Sequence, residues 1–365
     1  MTTKLRAASF QDNAVTTAKI AADAITNAKI ADDAVQTENF ASTVNLGRRN
    51  MIINGAMQVA QRGDTTSVQV GYGGCDRFQF ASSGATVVTL KQSTDVPSNQ
   101  GFINSQQVDV TTADSSLGSG DYAMIRQKIE AQDLQHLKYG TSEAEKITLQ
   151  FFVKSSKTGT HIIELYHYDA NYHNAQAYTI SSADTWQKVT VTFDGYQTTN
   201  FNNDNGTGLG IQWWLASSST YAGGTLASNT WSNTAANRAV GQVNVMDSTD
   251  NNFYLTGVQL EVGEQATPFE HRPIGEELAL CQRYFYKHNI NSTSGPRACS
   301  YHSSYKMVHD FFPVTMRAFP TATATFNASF TPNSLSTNVG KFYVASTYDS
   351  NNNFFMETGQ YDAEL

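Results

Sequence analysis

Short alternating runs, each closed off by turn residues, constrain this chain more than any other feature. Trp186-Gln-Lys-Val-Thr-Val-Thr-Phe alternates strictly, with Trp186, Lys188, Thr190 and Thr192 on one face and Val189, Val191 and Phe193 on the other. Lys146-Ile-Thr-Leu-Gln-Phe-Phe-Val-Lys, His161-Ile-Ile-Glu-Leu-Tyr-His-Tyr, Gly210-Ile-Gln-Trp-Trp-Leu and Asn252-Phe-Tyr-Leu-Thr-Gly-Val-Gln-Leu-Glu read as further strands. Clusters of Gly, Asn, Asp and Ser separate them. A helix or turn is expected near Ala131 to Leu137. So many short strands between Asn50 and Pro273 predict a mainly β fold, an antiparallel sandwich or jelly roll. Phe193, Val189 and Val191 are expected in its core.

Composition narrows the function classes. Only 15% of residues are charged, so the polar surface must come from Asn, Gln, Ser and Thr. Such a surface depends little on screened charge pairs and suits work outside cells. The net charge is −8 without a long basic run, which argues against nucleic-acid binding. No apolar run reaches the length of a membrane span, and the first residues lack the apolar core of a secretion signal. The expectation is a protein made in a cytoplasm that stays soluble. Three cysteines without a C-x-x-C pair suggest neither a disulfide framework nor a thiolate zinc site.

Residues 12–41 hold three decads with an apolar residue at every fifth position: Val15, Ile20, Ile25, Ile30, Val35 and Phe40. That period fits neither helix nor strand and marks a repeat of its own kind. Burying six such side chains yields roughly 9–18 kcal/mol. Ordering some thirty residues costs at least ~30 kcal/mol in backbone entropy. One copy therefore cannot fold alone, and a parallel threefold bundle with these residues at its axis is the preferred reading. A disordered tail and a pentapeptide β-helix remain alternatives. This divides the chain into a stalk at 1–46, a sandwich at 47–273 and a C-terminal part at 274–365.

In the C-terminal part, Leu278, Cys281, Tyr284 and Phe285 between Gly275 and Lys287 predict a short amphipathic helix after Pro273. Met307–Val314, Thr321–Phe326 and Lys341–Ala345 then read as strands of a small β domain. The terminal Asp-Ala-Glu-Leu suggests a natural end.

Several of these segments resemble known families. Asn50-Met-Ile-Ile-Asn-Gly-Ala-Met resembles the opening strand of the jelly-roll carbohydrate-binding modules found beside glycanases. Ile147-Thr-Leu-Gln-Phe-Phe-Val-Lys-Ser-Ser-Lys-Thr-Gly, Asp184-Thr-Trp-Gln-Lys-Val-Thr-Val-Thr-Phe and Phe253-Tyr-Leu-Thr-Gly-Val-Gln-Leu-Glu-Val-Gly are similar to later strands of those modules. Ala56-Met57 departs from the acidic residue and Phe usual there. Gly47-Arg-Arg-Asn-Met-Ile-Ile-Asn-Gly-Ala-Met-Gln-Val-Ala-Gln-Arg-Gly resembles a signature of bacteriophage tail-fibre and minor tail proteins. So does Val258-Gln-Leu-Glu-Val-Gly-Glu-Gln-Ala-Thr-Pro-Phe-Glu-His-Arg-Pro, followed by Glu276-Glu-Leu-Ala-Leu-Cys-Gln-Arg-Tyr-Phe. The resemblance implies a homotrimeric virion protein that joins other tail proteins through its N-terminus and attaches to a host surface glycan.

Aromatic residues in polar loops are the candidate glycan contacts. Tyr221, Trp231 and Trp214 lie around a Gly/Ser/Asn-rich loop, and Tyr168 and Tyr172 form a second patch with Tyr166 and Tyr178. Adjacent Trp213 and Trp214 must face opposite ways, so one of them belongs to the core. His161, His167 and His173 share even spacing, but Asp169-Ala-Asn-Tyr turns the chain between them; solvated strand histidines are expected, without a metal. Asp247-Ser-Thr-Asp-Asn-Asn reads as an Asx-rich turn rather than a calcium loop. Glu164, Asp169, Asp194 and Glu261 are the carboxylates a glycan depolymerase would draw on, yet no motif pairs any two of them. A non-enzymatic protein without a cofactor is expected. A purely structural connector or spacer is the alternative.

Overall fold

Alternation sets which side of each strand meets the core. On β7 (Ile147–Ser155) the side chains of Ile147, Leu149, Phe151 and Val153 are fully buried and belong to one large apolar core. On β10 (Gln187–Phe193), Val189 and Phe193 are buried in that core and Val191 packs against it, as the alternation predicted. Trp186 has the opposite parity; its indole donates to Asp95 Oδ1 at 2.8 Å.

These strands come from a computed structural model that describes residues 48–289, 299–302, 305–326, 331–345 and 356–365. The proposed stalk axis, Val15 to Phe40, lies outside the described residues. The protein is mainly β, with antiparallel sheets forming a sandwich. One sheet runs β1 (Thr65–Val68), β4 (Val87–Ser93), β5 (Ser105–Thr112), β12 (Asn252–Val262), β7 and β10. The other runs β2 (Val70–Tyr72), β3 (Gln79–Ser83), β6 (Tyr122–Glu130), β11 (Thr207–Ser217), β8 (Gly159–His167) and β9 (Tyr172–Ile180). The central strands β12 and β11 are thus late in the chain and close the two sheets over long sequence distances. A 3-10 turn over Ala131–Leu137 buries Ala131, Leu134 and Leu137, in the place where a helix or turn was expected.

The opening motif is structural. Asn50 Nδ2 donates to the Val258 carbonyl at 3.0 Å, while its Oδ1 accepts from Ile52 N and Leu260 N. A Cβ on Gly55 would stand 2.1 Å from the Val258 oxygen, so only glycine lets this segment lie against β12.

The C-terminal region carries a three-stranded sheet, β13 (Phe285–Asn289), β19 (Met356–Asp362) and β16 (Thr321–Phe326). Beside it is a four-stranded sheet, β14 (Cys299–His302), β15 (Tyr305–Phe311), β18 (Val339–Ala345) and β17 (Thr331–Leu335). The helix preceding them, α2 (Ile274–Gln282), is shorter than the sequence pattern suggested. It stops because Tyr284 is buried under the Arg77 guanidinium, 3.4 Å from the ring centre, and Phe285 already pairs with Asp362 of β19. The described residues belong to one compact unit. The fully buried Arg77 pairs with Glu364, and Arg283 forks onto Glu130 at 2.8 and 2.7 Å.

Candidate functional site

The second sheet turns one face to the core and the other outward. Ala123, Ile125 and Ile129 of β6, Ile163 and Leu165 of β8, and Ile211 and Trp213 of β11 face the core. The intervening residues Met124, Arg126, Glu164, Tyr166, Gln212 and Trp214 therefore stand on the outer face, brought side by side by the β6–β11–β8 pairing. A cleft of about 240 Å³ opens on that face. Tyr122, Tyr166, Tyr168, Trp214 and Tyr221 supply its rings, and Arg126, Asn171, Gln212 and Arg238 its polar groups.

A chain excursion between β11 and β12 forms one wall. Its composition leaves its shape open, but its own backbone bonds order it. A single turn α1 (Ser219–Ala222) is tied back by Ala239 N to the Tyr221 carbonyl at 2.9 Å. Ala175 N and His173 N of β9 donate to Ala227 and Ser232 at 3.1 and 2.8 Å. This wall covers Trp214, which is why both neighbouring tryptophans are buried although they face opposite ways: Trp213 in the main core, Trp214 in a smaller cluster with Tyr122 and Tyr221.

The base of the cleft is a closed polar network. Arg238 Nε and Nη2 each donate at 2.8 Å to the two oxygens of Glu164, which is fully buried, and Trp214 Nε1 donates to the same carboxylate at 3.1 Å. The guanidinium also lies 4.7 Å from the Tyr166 ring centre, 5.1 Å from Trp214 and 5.5 Å from Tyr221. It thus fixes three rings and one acid at once. Tyr168 lies over Gly210, where a Cβ would come within 2.8 Å of the ring, and its hydroxyl accepts from Gln212 Nε2 at 3.5 Å. Tyr166 donates to Asn171 Oδ1 at 3.3 Å. Burial raises the Tyr168 phenol above its ordinary range, so it stays neutral and able to donate.

The five aromatic residues singled out from sequence separate into two groups. Tyr168, Tyr221 and Trp214 meet at the cleft. Trp231 and Tyr172 pack instead with Tyr196, at 5.2 and 5.1 Å between ring centres, in a cluster that also holds Tyr139, His167 and Phe201 and is continuous with the core. Trp231 Nε1 is committed to the Asp194 carbonyl at 2.7 Å. Arg126, Gln212 and Arg238 carried no signal in sequence, because their partners are 26 to 86 residues away; only their parity on β6 and β11, or a polar residue closing the 219–237 loop, hinted at them.

The three histidines are buried, not solvated. His161 and His167 point into the core from β8, where apolar packing surrounds them; His173 is covered by the Ser232 segment. Burial lowers His161 to a pKa of about 4, and burial together with Arg238 lowers His173 to about 4. Among the described residues no group of three or more His, Cys, Asp or Glu side chains is arranged to hold a metal ion. Asp247 pairs with Lys157 and accepts from Asn251 Nδ2 at 2.7 Å. The other carboxylates named from sequence have separate partners: Asp169 accepts from Asn202, Asp194 from Asn229, and Glu261 from Thr267.

No family model and no curated protein matches the chain. Among solved structures, the enzymatically active domain of tailspike protein 4 of bacteriophage CBA120 is similar over 59% of this chain, at 13% identity and a TM-score of 0.32. The chain spans 21% of that protein. A carbohydrate-binding module, CBM4, is similar over 57% of this chain at 12% identity and a TM-score of 0.28, with 98% of the module covered. TmCBM61, solved with β-1,4-galactotriose, is similar over 59% at 9% identity and a TM-score of 0.30, with 99% covered.

Proposed function

We propose that this protein is a glycan-binding attachment subunit of a bacteriophage tail and that sugar binds in the cleft on the outer face of the second sheet. The observation that carries the reading is the cleft itself, where the rings of Tyr166, Tyr168 and Tyr221 stand beside the polar ends of Arg126, Asn171, Gln212 and Arg238. Sugars present C–H faces that pack on rings and hydroxyls that need fixed donors and acceptors; few precisely placed polar groups among aromatic walls serve both. The tail role rests on the resemblance of the Gly47–Gly63 and Val258–Phe285 runs to tail-fibre proteins. A threefold stalk would link weak single sites into strong attachment.

The reading is non-enzymatic. A glycosidase uses two carboxylates a few ångströms apart in distinct environments. Glu164 lies beneath the cleft, and both its oxygens are occupied by Arg238 and Trp214. No carboxylate stands among the residues that line the cleft.

The test is a glycan array probed with the full chain, followed by competition between the purified protein and phage for host cells. Binding to a defined set of glycans, with loss of phage adsorption, is the expected outcome. An array without a hit, together with unaffected adsorption, overturns the reading in favour of a structural spacer.

A further inference from the structure

The charges around the cleft do not balance. Its lining contains two arginines and no aspartate or glutamate. Arg238 is neutralised by Glu164 beneath it. Arg126 has no such counterpart: its Nε donates to the neutral amide of Gln79 at 2.8 Å, and it makes no ion pair among the described residues. Two residues on along β6, on the same face, Lys128 adds a second cation, 5.5 Å from the Tyr168 ring centre. Its ammonium donates to the Leu365 oxygen at 2.9 Å. Burial is the main cause that lowers Lys128 to a pKa of about 8; repulsion from Arg126 and Arg77 adds to it and Glu364 works against it. Glu364, the residue before Leu365, is shared between Arg77 and Arg62.

An arginine without an ion pair in the lining of an aromatic cleft, in a chain whose net charge is −8, is a place where an anion gains. Arg126 stands on the strand next to the one that carries Trp214 and Gln212, so an anionic group there would belong to the same ligand whose ring packs on Tyr166 and Tyr168. We infer that the ligand is an acidic saccharide, with its anionic group held by Arg126. This inference rests on the glycan-binding reading of the same cleft and narrows it to one substrate class.

The experiment is an array on which each glycan backbone appears in neutral, uronic-acid, sulfated and phosphorylated forms, probed with the full chain. The best acidic glycan and its neutral counterpart are then titrated against the wild type, Arg126→Gln and Arg126→Lys, with melting curves to verify folding. The expected result is a preference for the acidic form on the order of tenfold or more, weakening as salt is raised. Arg126→Gln should bring the acidic-to-neutral ratio close to one, and Arg126→Lys should retain part of it. The array arms tell carboxylate from ester. Equal or better binding of neutral glycans overturns this inference and leaves the cleft as a sugar site. An acidic preference that survives Arg126→Gln overturns the role of Arg126. Should Arg126→Gln fail to fold, a wild-type preference indifferent to salt has the same force. An array with no hit removes both readings.

Discussion

Arg238 forks onto Glu164 at the base of the cleft, with Nε and Nη2 each 2.8 Å from a carboxylate oxygen. Glu164 is fully buried, so the pair is a structural unit in which neither charge can be removed alone. Arg238→Met should lower unfolding free energy by about 3–5 kcal/mol, because a buried carboxylate is left without its partner. The double change Arg238→Met with Glu164→Gln should cost clearly less than the sum of the two single changes. Urea unfolding of the four proteins measures this, and additive losses would show that the two groups do not depend on each other.

Gly210 is a position where the lack of a side chain governs the shape of the cleft. An added Cβ would press on the Tyr168 ring from 2.8 Å. Gly210→Ala should therefore lift Tyr168 off the sheet and weaken glycan binding by about tenfold or more, equivalent to ~1.4 kcal/mol. Isothermal titration checks it; unchanged affinity would mean that the ring position is irrelevant to recognition.

Trp231 lies in a loop whose composition suggested a contact surface, yet it serves packing. Trp231→Ala removes a ring held between Tyr139 and Tyr196 and a bond to the Asp194 carbonyl, and should cost about 3 kcal/mol. Trp231→Phe keeps most of the packing and loses the hydrogen bond, at a cost near 1 kcal/mol. Denaturant midpoints for the two variants test the order.

Stability should fall as the medium becomes acidic. His161 and His173 have pKa values of about 4 in the fold and an ordinary value near 6.5 when unfolded. Above the unfolded value neither state is protonated and the contribution is flat. Between about 6.5 and 4 the unfolded chain binds the extra protons, so stability declines by at most ~1.4 kcal/mol per pH unit for each histidine. Asp76 and Glu277, raised mainly by burial, take up their protons at higher pH in the fold than in the unfolded chain and so oppose the trend at its acid end. The slope of unfolding free energy between pH 7.5 and 5 should be shallower in His161→Gln and His173→Gln than in the wild type. Identical slopes would contradict the buried, neutral state of these rings.

Local pattern made the strands legible. Val189 and Phe193 are buried because period-two alternation is imposed by the pleat itself. The cleft was legible only by halves. Tyr168, Tyr221 and Trp214 could be named because large rings in polar loops need a partner surface. Their grouping could not be read, since it depends on pairing β11 with both β6 and β8, strands that start 37 residues apart in the chain. Trp231 and Tyr172 pack apart from that cleft, and this too was illegible, since Tyr196 and Tyr139, which receive them, come from distant loops. The histidines misled because solvent exposure is the ordinary fate of a polar strand residue, and what buries them comes from afar in the chain: Tyr178 stacks on His161, Phe201 on His167, and the Ser232 segment pairs with His173.

The stalk reading makes its own demand. Ile25→Asp with Ile30→Asp would set like charges against each other along a dry threefold axis and should prevent trimer formation. Analytical ultracentrifugation of wild type and variant decides it, and a monomeric wild type would remove the bundle.

The most direct test of the central claim titrates one array-selected oligosaccharide against the wild type, Tyr168→Ala and Trp231→Ala, side by side and below the melting temperature of each. The cleft account predicts that Tyr168→Ala loses affinity by at least about tenfold while melting close to the wild type, and that Trp231→Ala melts lower but binds within about twofold of it. Retained affinity in Tyr168→Ala, with affinity lost in a folded Trp231→Ala, would contradict it.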